Sequence, residues 1–196
     1  MDLVLASGNA GKLAELRQLL SGAPFTLRTQ SEFGVDEVEE TGLTFIENAL
    51  LKARHAARAT GLPALADDSG LCVDALDGAP GLYSARYGGV HGDGARNIER
   101  LLRELEGIPD AGRTARFHCA LVVLRHAGDP QPIIAEGSWA GRILHAPRGT
   151  AGFGYDPVFL DPENACSAAE LDPAIKHAIS HRGRALALLR QRLDEL

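Results

Sequence analysis

Lysine is almost missing from this 196-residue chain, with 3 lysines against 17 arginines. Arginine serves wherever any cation will do, so the lysines that survive, Lys12, Lys52 and Lys176, carry information, because a compact ammonium does what a planar guanidinium fork cannot. Positive charge is also in deficit. With 20 basic against 26 acidic residues and a net charge of -6, binding of long nucleic acid through a basic face is excluded, although a local cluster can still hold a small anion. Cysteine is scarce: Cys72, Cys119 and Cys166 are odd in number and far apart. They lack the CxxC spacing of zinc or redox work and read as reduced, mostly buried thiols. No apolar run approaches the roughly 20 residues of a membrane span. The opening MDLVLASGNAGK has neither basic leader nor long apolar stretch and reads as the start of a cytoplasmic protein. Repeats, low-complexity tracts and linkers are lacking too, so one compact domain over residues 1–196 is expected. What is present, 45% hydrophobic and 23% charged residues, is ordinary for a globular protein large enough to bury a full core.

The chain converges on ADDSGL, residues 66–71. Ala64, Leu65 and Ala66 read as a short buried strand, and Ser69-Gly70 as the reversal that follows it. Ligands of open α/β sheets sit at the carboxyl ends of strands, so Asp67 and Asp68 stand where a metal or an attacking water is handled. Successive strand residues face opposite sides, and the two carboxylates cannot address one ligand unless the turn has begun. An ordinary Asp-Asp-Ser-Gly surface turn is the competing reading.

Elsewhere the spacing predicts a strand at Leu3–Leu5, a glycine-bearing loop from Ser7 through Gly8, Asn9, Ala10 and Gly11 to Lys12, and a helix whose apolar face begins at Leu13. Strand, loop and helix together make either an anion cradle or a plain N-terminal turn. A Walker A loop is excluded, since Ala6 and Leu13 stand where glycine and Ser or Thr are required. Thr44 and Glu47 form a capping box for a helix from about Phe45, in which Lys52 reads as a solvated residue. Glu40, just ahead, is either a dipole partner or a metal ligand with the Asp67-Asp68 pair. Residues 72–89 read as irregular loop, Asp93 as a helix cap, and residues 115–124 and 131–139 as a strand pair. In GTAGFGYDP, Phe153, Gly154, Tyr155 and Asp156 offer a platform for a planar base or a glycine-rich hairpin with a core phenylalanine. Lys176, then His181 and Arg182 at the start of a last helix capped by Ser180 with Ala185, Leu188 and Leu189 on its apolar face, are hydrogen-bond donors or plain surface residues. Alternating strands and helices, followed by locally paired strands, predict an α/β fold with a mixed, twisted sheet flanked by helices.

Taken in order, SGNAGK, EETGLTFIENALLKA, ADDSGL with GAPGLYSARY, GTAGFGYDP and SHRGRAL resemble the inosine/xanthosine triphosphate pyrophosphatase family, also called dITP/XTP diphosphatases. The likeness runs nearly end to end and departs only at GGVHGDG, residues 88–94. It implies two lobes with the active site in a cleft between them. It also implies Mg2+-dependent hydrolysis of deaminated purine nucleoside triphosphates (ITP, dITP, XTP) to the monophosphate and pyrophosphate, by a cytoplasmic homodimer. Carried over by residue, Ser7 to Lys12 match the family's triphosphate loop, Glu40 its metal ligand, and Asp68 its metal ligand and general base. Ser69 lies beside the substrate, while Phe153, Gly154, Tyr155, Asp156, Lys176, His181 and Arg182 match the nucleotide-recognition set. A non-catalytic purine nucleotide sensor is the alternative, with the acids merely balancing charge.

Overall fold

A computed structural model describes residues 2–22 and 25–192. In chain order the elements are β1 (Asp2–Ala6), α1 (Ala10–Leu19), β2 (Thr26–Thr29), α2 (Phe45–Thr60), β3 (Ala64–Val73) and α3 (Gly94–Glu104). They continue with β4 (Thr114–Leu124), β5 (Ile133–Ile143), β6 (Phe159–Asp161), β7 (Cys166–Ser167), α4 (Pro173–Ile179) and α5 (His181–Arg190). The strands form a seven-stranded sheet in the order β2-β1-β3-β4-β5-β6-β7. Pairing is parallel for β1 with β2 and β3 and antiparallel for β6 with β5 and β7. The mixed α/β sheet expected from the sequence is therefore what forms. Among the described residues no helix is long and apolar enough to cross a membrane.

Two compact units make up the chain, the first from residues 1–68, 119–137 and 183–196, the second from 69–118 and 138–182. In the first, side chains alternate across the sheet with period two. Leu3, Leu5 and Leu65 join Leu16 of α1, Ala185 and Leu189 of α5, and Cys119, Leu121 and Val123 of β4 in one cluster. Val4, Ala6, Ala64 and Ala66 face the other way, onto Ala49, Ala53, Ala56 and Ala57 of α2. Each fully buried leucine here contributes about 1.5–3 kcal/mol. The second unit packs Phe117, Trp139 and Phe159 with Leu71, Leu101 and Leu105 into its own core.

Helix starts follow the predicted chemistry. Thr44 caps α2, its Oγ1 accepting from Glu47 N at 3.2 Å, and Asp93 caps α3. Four expectations need correction. Ala64 to Val73 is one continuous strand, so Asp67 and Asp68 sit mid-strand and Ser69-Gly70 makes no reversal; backbone pairing overrides the turn preference of that dipeptide. Residues 72–89 are more ordered than expected, beginning with the end of β3 and holding short 3-10 helices at Asp74–Leu76 and Gly81–Arg86. Residues 173–179, for which the spacing gives no helix, form α4; Ser180 ends it and stands directly before α5 with extended backbone, the position expected of its cap. In α5 Leu186 is buried, while Leu188, expected inside, is exposed.

Candidate active site

β1 ends at Ala6, which pairs with Ala66, so Asp67 and Asp68 begin where β3 loses its β1 neighbour. Strand parity then sends them to opposite faces. Asp67 shares the side of Leu65 and meets α1: Lys12 Nζ lies 2.6 Å from Asp67 Oδ1, and Cys119 Sγ donates to Asp67 Oδ2 at 3.2 Å. Asp68 shares the side of Ala64 and Ala66 and meets α2. There Lys52 Nζ lies 2.8 Å from Asp68 Oδ1 and 2.7 Å from Glu40 Oε1. The reading of Lys52 as a solvated residue is overturned. Its spacing from Ala49, Ala53 and Ala56 places it on the buried face of α2, and only 14% of its side chain is exposed. That spacing was the available signal; for Cys119 it was a place on β4 between Phe117 and Leu121.

Electrostatics differ on the two sides of the Lys52 bridge. Burial opposes the Lys52 ammonium, but Asp68 and Glu40 outweigh it and hold the pKa above the usual lysine value. Asp68 is held above the ordinary carboxylate range, because burial outweighs the pull of Lys52 and Lys12. A buried carboxylate with raised proton affinity is suited to receive a proton.

The N-terminal loop is compact. Asn9 N donates to Ser7 Oγ at 3.3 Å, and Asn9 caps α1 by accepting from Lys12 N at 3.0 Å. Ala10 to Lys12 are thus the first helical turn rather than loop; the side chain of Ala10 lies outside the described residues. Leu13 N makes the first intrahelical bond, to Asn9 O, so the N–H groups of Ala10 and Gly11 precede the ladder in the manner of an anion-binding helix start. A Cβ on Gly8 would meet only the far end of the exposed Glu37 side chain, which can swing aside.

In the second unit Asp156 is the organiser. Its Oδ2 accepts from Phe153 N at 2.8 Å and from Lys176 Nζ at 2.6 Å. Gly152 has φ +76°, and a Cβ on it would overlap that same oxygen. Lys176 and Arg182 lie 5.6 and 5.8 Å from the centre of the Phe153 ring, itself 37% exposed. Arg182 donates to Ser69 Oγ at 3.0 Å, and His181 stacks on Phe117 with centroids 4.8 Å apart. Both are buried, which removes the surface reading of that pair. Tyr155 is buried too, its hydroxyl donating to Ser84 O at 2.9 Å; Gly154 adopts φ +60° beside it. Ser7 to Lys12, Glu40 and Asp68 therefore gather in the first unit, while Ser69, Phe153 to Asp156, Lys176, His181 and Arg182 gather in the second.

The Ham1 family profile matches residues 3–192. The chain belongs to the Ham1 family. It is 61% identical to the dITP/XTP pyrophosphatase of Xanthomonas oryzae pv. oryzae, covering 99% of this chain and 98% of that relative. The dITP/XTP pyrophosphatase of Vibrio parahaemolyticus is 59% identical, with 95% and 94% covered. Among solved structures, a HAM1 protein from Coxiella burnetii superposes with a TM-score of 0.92 at 50% identity over 100% of both chains. As a Ham1 protein the chain thus shares both fold and near-complete length with these relatives.

Proposed function

We propose that this Ham1 protein hydrolyses the α–β phosphoanhydride of deaminated purine nucleoside triphosphates, dITP, ITP and XTP, releasing the monophosphate and pyrophosphate. The observation that carries this reading is the convergence of Glu40 Oε1 and Asp68 Oδ1, at 2.7 and 2.8 Å, on one cationic centre, the Lys52 ammonium. Identity of about 60% to proteins named for that activity supports it.

Two hard carboxylate oxygens converging on one point fit Mg2+, which takes one or two carboxylates and completes its shell with phosphates and water. Among the described residues no group of three or more His, Cys, Asp or Glu forms a larger cage, and none is needed. Glu40 and Asp68 would hold the ion, which when bound neutralises phosphate charge and polarises the phosphoryl group. Asp68 takes the proton of the attacking water as its oxygen bonds to phosphorus and the anhydride oxygen leaves with pyrophosphate. Lys12 and the first turn of α1 bind the triphosphate oxygens. Phe153 stacks on the base, and donors of the Lys176, His181 and Arg182 group meet the purine 6-oxo oxygen. The adenine amino group would leave those donors unpaired, a mismatch that costs about 10^4 in rate or more. Guanine, which differs from hypoxanthine only by its 2-amino group, offers the same 6-oxo acceptor and is rejected less completely. The reading includes a cytoplasmic homodimer, which sedimentation of the purified protein tests.

Incubation with dITP, ITP, XTP, GTP and ATP, scoring pyrophosphate against orthophosphate, tests the reaction. Pyrophosphate from the first three is expected, and Asp68→Asn should lower kcat by about 10^2–10^4. Orthophosphate alone would make the protein a phosphatase, and tight binding without product would make it a sensor.

A further inference from the structure

We propose that Asp67 is a positioning residue for the reaction above, holding the Lys12 ammonium so that its remaining N–H donors are presented to the substrate's phosphates. This rests on the assignment of Lys12 to the triphosphate. Asp67 is wholly buried and meets its partner from the sheet side: Lys12 Nζ lies 2.6 Å from Oδ1, with 14% of the lysine side chain exposed. Cys119 Sγ donates to the other oxygen, Oδ2, at 3.2 Å. The carboxylate is thereby fixed at both oxygens, one by a thiol and one by an ammonium. An ammonium has three donors in three directions, and one spent on Oδ1 leaves the others to point elsewhere.

The same geometry explains why a chain so rich in arginine keeps lysine here. A guanidinium pairs with carboxylate as a fork onto both oxygens, and the Cys119 sulfur stands on Oδ2. Asp67 and Asp68 therefore divide the work by strand parity. Asp68, with Glu40 and Lys52, serves the reacting centre from the α2 face, and Asp67, with Cys119, sets the phosphate-binding lysine from the α1 face.

Binding of inorganic pyrophosphate, read by calorimetry, tests this without turnover, in wild type, Asp67→Asn, Lys12→Met and the double variant. Asp67→Asn is expected to weaken pyrophosphate binding about ten-fold and to raise KM for dITP more than it lowers kcat. Lys12→Met in the Asp67→Asn background should then cost less than about two-fold more. Unchanged or tighter binding by Asp67→Asn, with Lys12→Met still costing its full factor, would make Asp67 a mere buried counter-ion and overturn the proposal. If Lys12→Met alone binds pyrophosphate as wild type does, the assignment of Lys12 to the triphosphate fails instead. Should Asp67→Asn not fold, Cys119→Ala decides. Lys12→Arg should lose affinity in the wild-type background and recover most of it with Cys119→Ala, where the guanidinium reaches both oxygens. Equal loss in both backgrounds overturns the role of Cys119 and Asp67 together.

Discussion

At the scale of single residues, the three lysines share one circumstance. Lys12, Lys52 and Lys176 each pair with an aspartate through side chains 14%, 14% and 11% exposed. Composition made these residues conspicuous, yet Lys52 is misread from sequence because an alanine-rich helix suggests a wet face, when Asn48, Ala49 and Ala56, at i-4, i-3 and i+4 from it, are all buried. Its removal should be costly. Lys52→Met leaves Asp68 and Glu40 facing each other without a cation, and breaking a buried pair costs about 3–5 kcal/mol. Because Glu40 is partly wet, the lower end, about 3 kcal/mol, is expected in urea unfolding at neutral pH. A change below about 0.5 kcal/mol would class the bridge with ordinary surface pairs. A different carboxylate supplies the pH dependence. Glu32 accepts from Thr29 N and from Arg28 Nε, both at 2.9 Å, and these bonds, the Thr29 one foremost, lower its pKa to about 2. A depressed folded value means that the stabilisation is present above the usual carboxylate value and lost as pH falls toward about 2. The gap in Tm between wild type and Glu32→Gln should therefore be widest near neutrality and close across that acid range. A gap independent of pH would show that the carboxylate charge contributes nothing.

At the scale of elements, parity was legible before any coordinates and the strand's length was not. Alternation alone says that adjacent aspartates must part company, and they do, Asp67 to α1 and Asp68 to α2. What Ser69-Gly70 concealed is that β3 runs through to Val73, because ladder hydrogen bonds outweigh a dipeptide's local preference for turning. Capping residues told the truth at Thr44 and Asp93, where the signal is local. The same signal stands at α4, where Asp172 accepts from Ala174 N directly ahead of Pro173, but that helix is too short to show a period. The glycines of GTAGFGYDP announced an unusual backbone, but at Gly152 the cause is a side chain four residues on. Gly152 must yield space to the Asp156 carboxylate at φ +76°. Gly152→Ala should thus cost about 1–3 kcal/mol from backbone strain and also dislodge Asp156 from Phe153 N and Lys176. The kinetic signature would be a raised KM for dITP exceeding what the stability loss explains. An unaltered KM would show that the Asp156 bonds survive the methyl group and that the glycine is conformational only.

At the scale of the whole molecule, the sequence leads one to expect a single domain, and the structure divides into two units whose chain segments interleave. The chain passes from one unit to the other after residues 68, 118, 137 and 182. Every one of these positions falls inside a regular element: β3, β4, β5 and α5. Neither unit is one contiguous stretch of sequence, so neither can be excised whole without taking part of the other. Each of these elements carries residues of both units, so an element that melts takes part of both with it. Cooperative unfolding in one step follows, with the calorimetric enthalpy equal to the van't Hoff enthalpy. Differential scanning calorimetry of the intact protein checks this directly. Two resolved transitions, or a calorimetric enthalpy well above the van't Hoff value, would mean that the units melt separately despite the shared elements. A change that loosens one unit, such as Lys52→Met, should in the cooperative case shift the entire transition rather than split it. Asp68 and Ser69, consecutive in β3 and assigned to different units, would then gain and lose their order together.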